Sequence, residues 1–323
     1  MRRFSFIGGV CAALAVALVA PSSAAPPWPS AAITLITPAP PGGAIDLTAR
    51  IVADGLAAQL GQSVRVDPRP GADGILAAQA FLSANDPDHT FLVTFGGLLV
   101  SNPVTHDKLP YDVSSDFVPV VLLATDTIVI CAAAEFPAES LGDLIREMRT
   151  RPDAVRWSSA PGEPKLRFLG LLKQIEARPL FVPYKSLNQA VIDLSAGRIE
   201  VVVAPLAVVR SQLQSGKLRL LATLAAERSP AAPNVPSVTE AGYPRMAMLP
   251  FIGLFARSGT PPEVGARLAR EITTLLFNPA AEQALRNAGL KPIGGSPQAL
   301  GAVVGEKLRE NRELARVVGP GWQ

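Results

Sequence analysis

The stretch LITPAPPGGAIDLTARIV, residues 35–52, carries the chain from a strand through a stiffened turn into a helix. A β-branched run, Ile33–Thr37, leads in. Pro38, Pro40 and Pro41 then hold φ near one value and remove three backbone donors. Gly42 and Gly43 do the opposite, since they accept positive φ and let another molecule approach the main chain. Ile45, Ala49, Val52, Leu56 and Leu60 follow at spacings of four and three, which predicts a helix, and Gly61 marks its stop. The N–H groups of Gly42, Gly43, Ala44 and Ile45 therefore emerge at a helix start, where a partial positive charge on the order of half a unit gathers. Asp46 is too acidic to face an anion unshielded, so it is expected to cap backbone N–H groups or hold a water. Two readings stand at this point: a receptor for an anion, or a tight turn that binds nothing. The turn has neither GxxxxGK[ST] nor GxGxxG, so it is not a phosphate loop.

Outward from this stretch, short apolar runs alternate with helical patterns. The runs are Ile33–Thr37, Val64–Asp67, Thr90–Thr94, Val118–Ala124, Thr127–Cys131, Val155–Ser158, Leu180–Val182, Glu200–Val203, Leu218–Thr223 and Phe251–Ala256. Ser140–Asp143 resembles a capping box, and Ser296 before Pro297 starts the last helix. This alternation predicts an α/β fold with largely parallel sheets, whose ligands sit beyond the carboxyl ends of the strands. Two proline-rich passages, residues 108–120 and 228–246, mark places where the chain changes neighbourhood, and the segment between them is long enough for a domain of its own. The helices from Pro262 onward would return to the first domain.

A chain of 323 residues with 48% hydrophobic and 18% charged residues is globular in composition and long enough for two ordinary domains or one large one. Met1–Ala24 reads as a secretory signal: Arg2 and Arg3, an apolar core from Phe6 to Val19, then small residues before a cleavage point near Ala24. Without Arg2 and Arg3 the 30 basic residues fall to 28 against 27 acidic ones, a balance that gives no reason to invoke nucleic acid. Past the signal Cys131 is the one cysteine, so no internal disulfide forms, and it reads as a buried strand residue.

Enzymatic constellations are thin. His89 and His106 are the only histidines, and both read as solvated loop residues. GxSxG and HExxH are absent. Asp86, Asp88 and His89 make too sparse a set for a metal. Other turns share the character of the first: residues 68–74 (PRPGADG), 94–103 (TFGGLLVSNP) and 158–167 (SSAPGEPKLR), the last with two hydroxyls and a lysine. Several such turns converging at strand ends would build a pocket.

The order of these turns resembles a known family, the Bug-type (TctC-like) solute receptors, the periplasmic binding components of tripartite tricarboxylate transporters. The resemblance runs from Ile33 to the last helix. It rests on Pro38–Asp46, on RPGADG, on Asn102-Pro103, on KLPYD and DFVPV, on Val182–Lys185, on SGKLRLLA, on residues 228–244 and on Ser258–Pro261. It implies a two-domain periplasmic binding fold of type II, with a hinge and a cleft between two α/β domains: residues 28–125 with 249–323, and residues 126–248. It further implies a carboxylate held through backbone N–H groups and ordered water, with no cofactor and no metal. The implied ligand contacts are Ala39, Pro40, Pro41, Gly42, Gly43, Ala44 and Asp46 in the first loop, then Phe95, Gly96 and Gly97. Ser159, Ala160 and Lys165, with Ala204 and Pro205, face them from the second domain.

The chain departs from the family pattern at telling places. Ala39 replaces an aromatic, residues 163–165 read Glu-Pro-Lys where a small polar loop is common, and Ala204 stands where amino-acid-binding relatives place an aspartate. A mono- or dicarboxylate is thus expected over an amino acid, with Lys165 or Arg167 reaching a second carboxylate. The expected partners are membrane permease subunits, or a sensor kinase, for a monomeric receptor. A secreted hydrolase using Ser101 or Ser159 with His106 is the rival from another class.

Overall fold

The computed structural model describes residues 28–319. The export signal expected at Met1–Ala24 lies outside the described residues. From Ile33 the chain forms β1 (Ile33–Thr37), α1 (Ala44–Leu60), β2 (Val64–Pro68), α2 (Ile75–Leu82), β3 (Thr90–Phe95), two short helices α3 (Gly97–Val100) and α4 (Asn102–Thr105), and β4 (Phe117–Thr125). It then builds β5 (Ile128–Ala133), α5 (Leu141–Thr150), β6 (Arg156–Ser159), α6 (Glu163–Gln174), β7 (Leu180–Phe181), α7 (Leu187–Ser195), β8 (Val201–Pro205), α8 (Leu206–Gln214) and β9 (Leu218–Thr223). Finally come β10 (Phe251–Arg257), α9 (Pro262–Leu276), α10 (Pro279–Asn287), β11 (Lys291–Pro292) and α11 (Pro297–Val318).

The strands form two sheets, in the orders β11-β4-β10-β3-β1-β2 and β7-β6-β8-β5-β9. Each is covered on both faces by helices, so successive side chains of a strand enter different cores. In the first sheet Leu35, Phe91, Val93 and Leu123 pack under α1 and α9, while Ile36, Leu92 and Leu122 pack under α2 and α11. In the second, Ile128, Ile130 and Trp157 meet α5 and α6, and Val129, Cys131 and Ala204 meet α7 and α8. Cys131 is fully buried, its thiol pushed up to about 12 by that burial. Local signals act as expected at the ends. Gly61 closes α1 at φ 66°, Ser140 accepts the Asp143 N–H at 3.1 Å, and Ser296 accepts the Ala299 N–H at 3.2 Å.

The sheets are mixed, which corrects the expectation of largely parallel ones. β1 lies parallel to β2 and β3, and β6 parallel to β7 and β8. β10 is antiparallel to both β3 and β4, and β5 is antiparallel to β8 and β9. The cause lies in the passage between the sheets. A parallel pair needs a helical crossover, but β4 runs into β5 through Asp126 and Thr127 alone. The chain returns beside this passage, where the Asp126 N–H donates to Pro250 O at 3.0 Å, and β10 re-enters the first sheet in the opposite sense. Two chain segments thus cross side by side at the base of a cleft.

His89 is also not solvated. It is 7% exposed, stacks on Trp28, accepts the Ser30 N–H at 3.1 Å and pairs with Asp86 at 3.0 Å. Trp28, far away in sequence, provides the shelter that a local reading cannot foresee.

A tight contact between α1 and α9 over the first sheet sets a testable constraint. A Cβ added at Gly55 of α1 would fall 1.6 Å from Leu275 Cδ1 and 2.5 Å from its Cγ, on the buried face of α9. Gly55→Val should therefore lower stability by about 1–3 kcal/mol through overpacking, despite removing a helical glycine. Urea unfolding would read this as a lower midpoint at unchanged slope.

Candidate functional site

The carboxyl ends of β1, β3, β6 and β8 all face the gap between the lobes, so the loops that follow them meet there. Two compartments result. The smaller, of about 310 Å³, is lined by Ala39, Gly43, Ala44 and Ile45 of the first turn, with Phe95, Asp126 and residues 250–252. The larger, of about 580 Å³, is lined from the first lobe by Asp73, Phe95–Gly97, Ser101, Asn102, Thr105 and His106. Residues 160–165 and Pro205 face them from the second lobe. Phe95, Pro250 and Phe251 border both compartments and form an apolar waist.

At the first turn Gly42 takes φ 90° and the chain swings into α1. Its own N–H is not free, which corrects the sequence reading: it donates to Asp46 Oδ2 at 2.9 Å. Arg50 clamps the same carboxylate through Nε at 2.9 Å and Nη2 at 3.1 Å. These bonds from Arg50 outweigh desolvation and hold Asp46 below the usual carboxylate range. Asp46 is thereby turned away from any ligand. The N–H groups of Gly43, Ala44 and Ile45 have no hydrogen-bond partner among the described residues, and the compartment they line is otherwise largely apolar.

Gly96 and Gly97 serve packing. A Cβ at Gly96 would lie 2.5 Å from the Phe251 ring, and one at Gly97 would lie 2.7 Å from the Phe95 ring. The Gly96 N–H is spent on Phe251 O at 2.8 Å. Behind this loop, Asn102 Nδ2 donates to Asp73 O at 3.0 Å and to Tyr111 Oη at 3.1 Å, while Tyr111 Oη donates to Leu98 O at 2.7 Å. Burial raises the Tyr111 phenol to about 12. The Asn-Pro and Leu-Pro-Tyr signatures are thus a brace for the cleft wall. Asp73 reaches the wall through four successive positive-φ residues, Gly71–Gly74, of which Ala72 and Asp73 are not glycine; such backbone costs on the order of 1–3 kcal/mol per residue and recurs at functional sites.

On the opposite wall α6 begins at Gly162, held at φ 75°. The N–H groups of Gly162, Glu163 and Lys165 have no partner among the described residues. Lys165 Nζ makes no ion pair there and lies 4.4 Å from the Phe181 ring centroid, its pKa lowered by desolvation. Ser101, 2% exposed, has an Oγ with no hydrogen-bond partner among the described residues. A Cβ added at Gly162 would lie 3.6 Å from that oxygen.

Arg167 is not available to a ligand. Its Nη2 bonds Glu163 Oε1 at 2.8 Å, Glu310 Oε2 at 2.7 Å and Asn311 Oδ1 at 3.3 Å. Burial pushes the Glu163 carboxyl up against the pull of Arg167. Asn311, fully buried, donates to Val100 O at 3.0 Å. This network joins α6, α11 and α3 behind the cleft.

Other expected contacts fall elsewhere. Pro40, Pro41, Gly42 and Asp46 support the turn without lining either compartment. Ser159 donates its hydroxyl to Ala160 O at 2.7 Å, and Ala204 is fully buried in the second lobe. Ser101 and His106 share a compartment, yet no nucleophile–base pair is assembled. His106 Nδ1 lies 2.8 Å from Thr105 Oγ1, its Nε2 lies 3.5 Å from Asp73, and Ser101 Oγ has no partner.

The family model described as tripartite tricarboxylate transporter family receptor matches residues 48–319. The chain belongs to this family. A protein of Pseudomonas sp. (strain P51), from the tcbD-tcbE intergenic region, is 34% identical over 297 residues, covering 90% of this chain and 88% of its own length. BugT of Bordetella pertussis is 29% identical over 309 residues, covering 95% of each chain. Among solved structures, Rhodopseudomonas palustris Rpa4515 with adipate is 28% identical, with a TM-score of 0.79 over 90% of this chain and 98% of that one. MatC of the same organism, with bound malate, is 26% identical, with a TM-score of 0.74 over 90% of this chain and all of that one. The resemblance to Bug-type receptors and the two-lobed α/β binding fold are both borne out. The family and fold are those of periplasmic solute-binding receptors, and among the described residues no helix is long and apolar enough to cross a membrane.

The network behind the cleft generates a prediction. Arg167→Met strands Glu163 without its cation and should cost about 3–5 kcal/mol. The Glu163→Gln/Arg167→Met double variant should recover much of that loss. Paired urea titrations would show whether the two changes couple.

Proposed function

We propose that the chain is a periplasmic receptor that binds a small mono- or dicarboxylate between its lobes and delivers it to membrane permease subunits. The observation that carries this reading is the row of unsatisfied N–H groups on Gly43, Ala44 and Ile45, opening on a compartment at the start of a 17-residue helix. Hydrogen bonds to a charged acceptor contribute roughly 1.5–3 kcal/mol each, so three supply much of the roughly 8 kcal/mol that micromolar affinity requires. A second acidic group would lie beyond the Phe95 waist, against the α6 N–H groups, Ser101 Oγ and the ammonium of Lys165. Adipate and malate in two structural relatives support this class.

The lobes that close would be residues 28–125 with 249–323, and residues 126–248, pivoting where Asp126 and Pro250 cross. Closure converts occupancy into a shape that a membrane partner distinguishes. Cleavage of the signal near Ala24 would release the mature, monomeric receptor. A sensor kinase in place of the permease would leave the cleft chemistry unchanged.

Gly43 offers the cleanest test. Its φ of −80° and ψ of 168° suit any residue, and an added Cβ meets only Pro40 O, at 3.7 Å. Gly43→Val should therefore fold normally and lose carboxylate binding by at least tenfold in calorimetry. Gly42→Val is a poorer probe because of its positive φ. Lys165→Ala should weaken dicarboxylates and spare monocarboxylates. Undiminished binding by a folded Gly43→Val protein would show that the anion sits elsewhere.

A further inference from the structure

Among the described residues, Asp126 is the one titratable side chain on the wall of the compartment into which the α1 amides open. The remaining walls are alanine, glycine, isoleucine, proline and phenylalanine. The Asp126 backbone is pinned at the lobe crossing, and its Oδ1 accepts the Thr127 N–H at 2.6 Å. Among the described residues its carboxyl has no other hydrogen bond and no cation within ion-pair distance. On the first-lobe side of the compartment Asp46 is turned into Arg50. Across the waist stand Asp73, His106, Glu163 and Lys165. Asp126 also borders a groove on the back of the crossing, with Arg210, Glu227 and Arg228 from the second lobe and Arg286, Lys291, Glu306 and Lys307 from the first. None of these pairs with it.

A carboxylate on the Gly43–Ile45 amides would share about 310 Å³ with this second carboxyl group. Two carboxylates confined together do not both ionise. One proton resolves the conflict: one carboxyl donates its O–H to the other, and the remaining oxygens accept the amide and Thr127 N–H groups. We propose that this compartment takes up its carboxylate together with one proton from solvent, held between the ligand and Asp126. This rests on the carboxylate reading above and adds to it a residue that decides which ionic form is bound.

The sign follows from the free protein. Burial outweighs the Thr127 hydrogen bond and raises Asp126 to about 6. Below that pH the proton is already in place and affinity is level. Above it a proton must be drawn in, so affinity falls about tenfold for each pH unit. Calorimetry with adipate and with malate at pH 7.5, in two buffers of different ionisation enthalpy, should read close to one proton taken up per ligand. Asp126→Asn keeps an oxygen for Thr127 and sets an N–H donor where the proton stood. It should bind with an affinity that is flat from pH 5.5 to 8 and take up no proton.

Flat, proton-free binding by the unaltered protein would overturn the proposal while leaving the carboxylate reading intact. So would an unchanged pH slope in Asp126→Asn, which would assign the proton to another group such as His106. Loss of malate with retention of adipate in Asp126→Asn, without proton uptake in the unaltered protein, would make Asp126 an ionised acceptor for a ligand hydroxyl and overturn it too. If neither ligand binds the folded protein at any pH, the carboxylate reading fails first and the proposal goes with it.

Discussion

Backbone N–H groups that lack partners constrain this molecule more than any side chain. A helix start leaves its first donors open, and in most proteins a Ser, Asp or Asn fills one of them. Here α1 begins at Gly43, with no side-chain cap, and α6 begins at Gly162, also without one. Both starts face the cleft, and Asp46 is held off by Arg50 so that it does not fill the gap. The fold therefore keeps two helix N-termini without side-chain caps on facing lobes, where the helix dipoles leave a positive potential.

The framework around these ends holds them in place. Asn102 and Tyr111 brace the loop after β3, and Arg167 with Asn311 ties the start of α6 to α11 and α3. Buried ionic networks of this kind add little net stability over apolar packing. Their value here lies in geometry: they set the distance between the two amide rows.

Much of this was legible in the chain itself, and the limits have physical causes. The strand runs were readable because each is bounded by glycine, proline or a helical period, and β10, expected at Phe251–Ala256, forms at Phe251–Arg257. β11 was missed because Lys291–Pro292 has no apolar pattern and exists only by pairing with β4. The Pro–Gly turn was readable because its chemistry is local. Asp126, Ser101 and the Arg167 network were not, since each acquires its role from residues far along the chain: Pro250, Gly162 and Glu310. Gly42 is legible only in its backbone freedom, for no local rule says whether a freed amide meets a solute or the next carboxylate.

Phe95 stands between two chambers, and its ring is pressed against Gly97 rather than held by hydrogen bonds. Pro250 and Phe251 complete the partition, so exchange of this one ring for a smaller side chain, a single codon change, would widen the opening between the chambers. Relatives that exchange this ring for something smaller would own a single long trough, and those that keep it would own two rooms with a doorway. Widening that doorway needs no change at the starts of α1 and α6, only turnover at the doorpost.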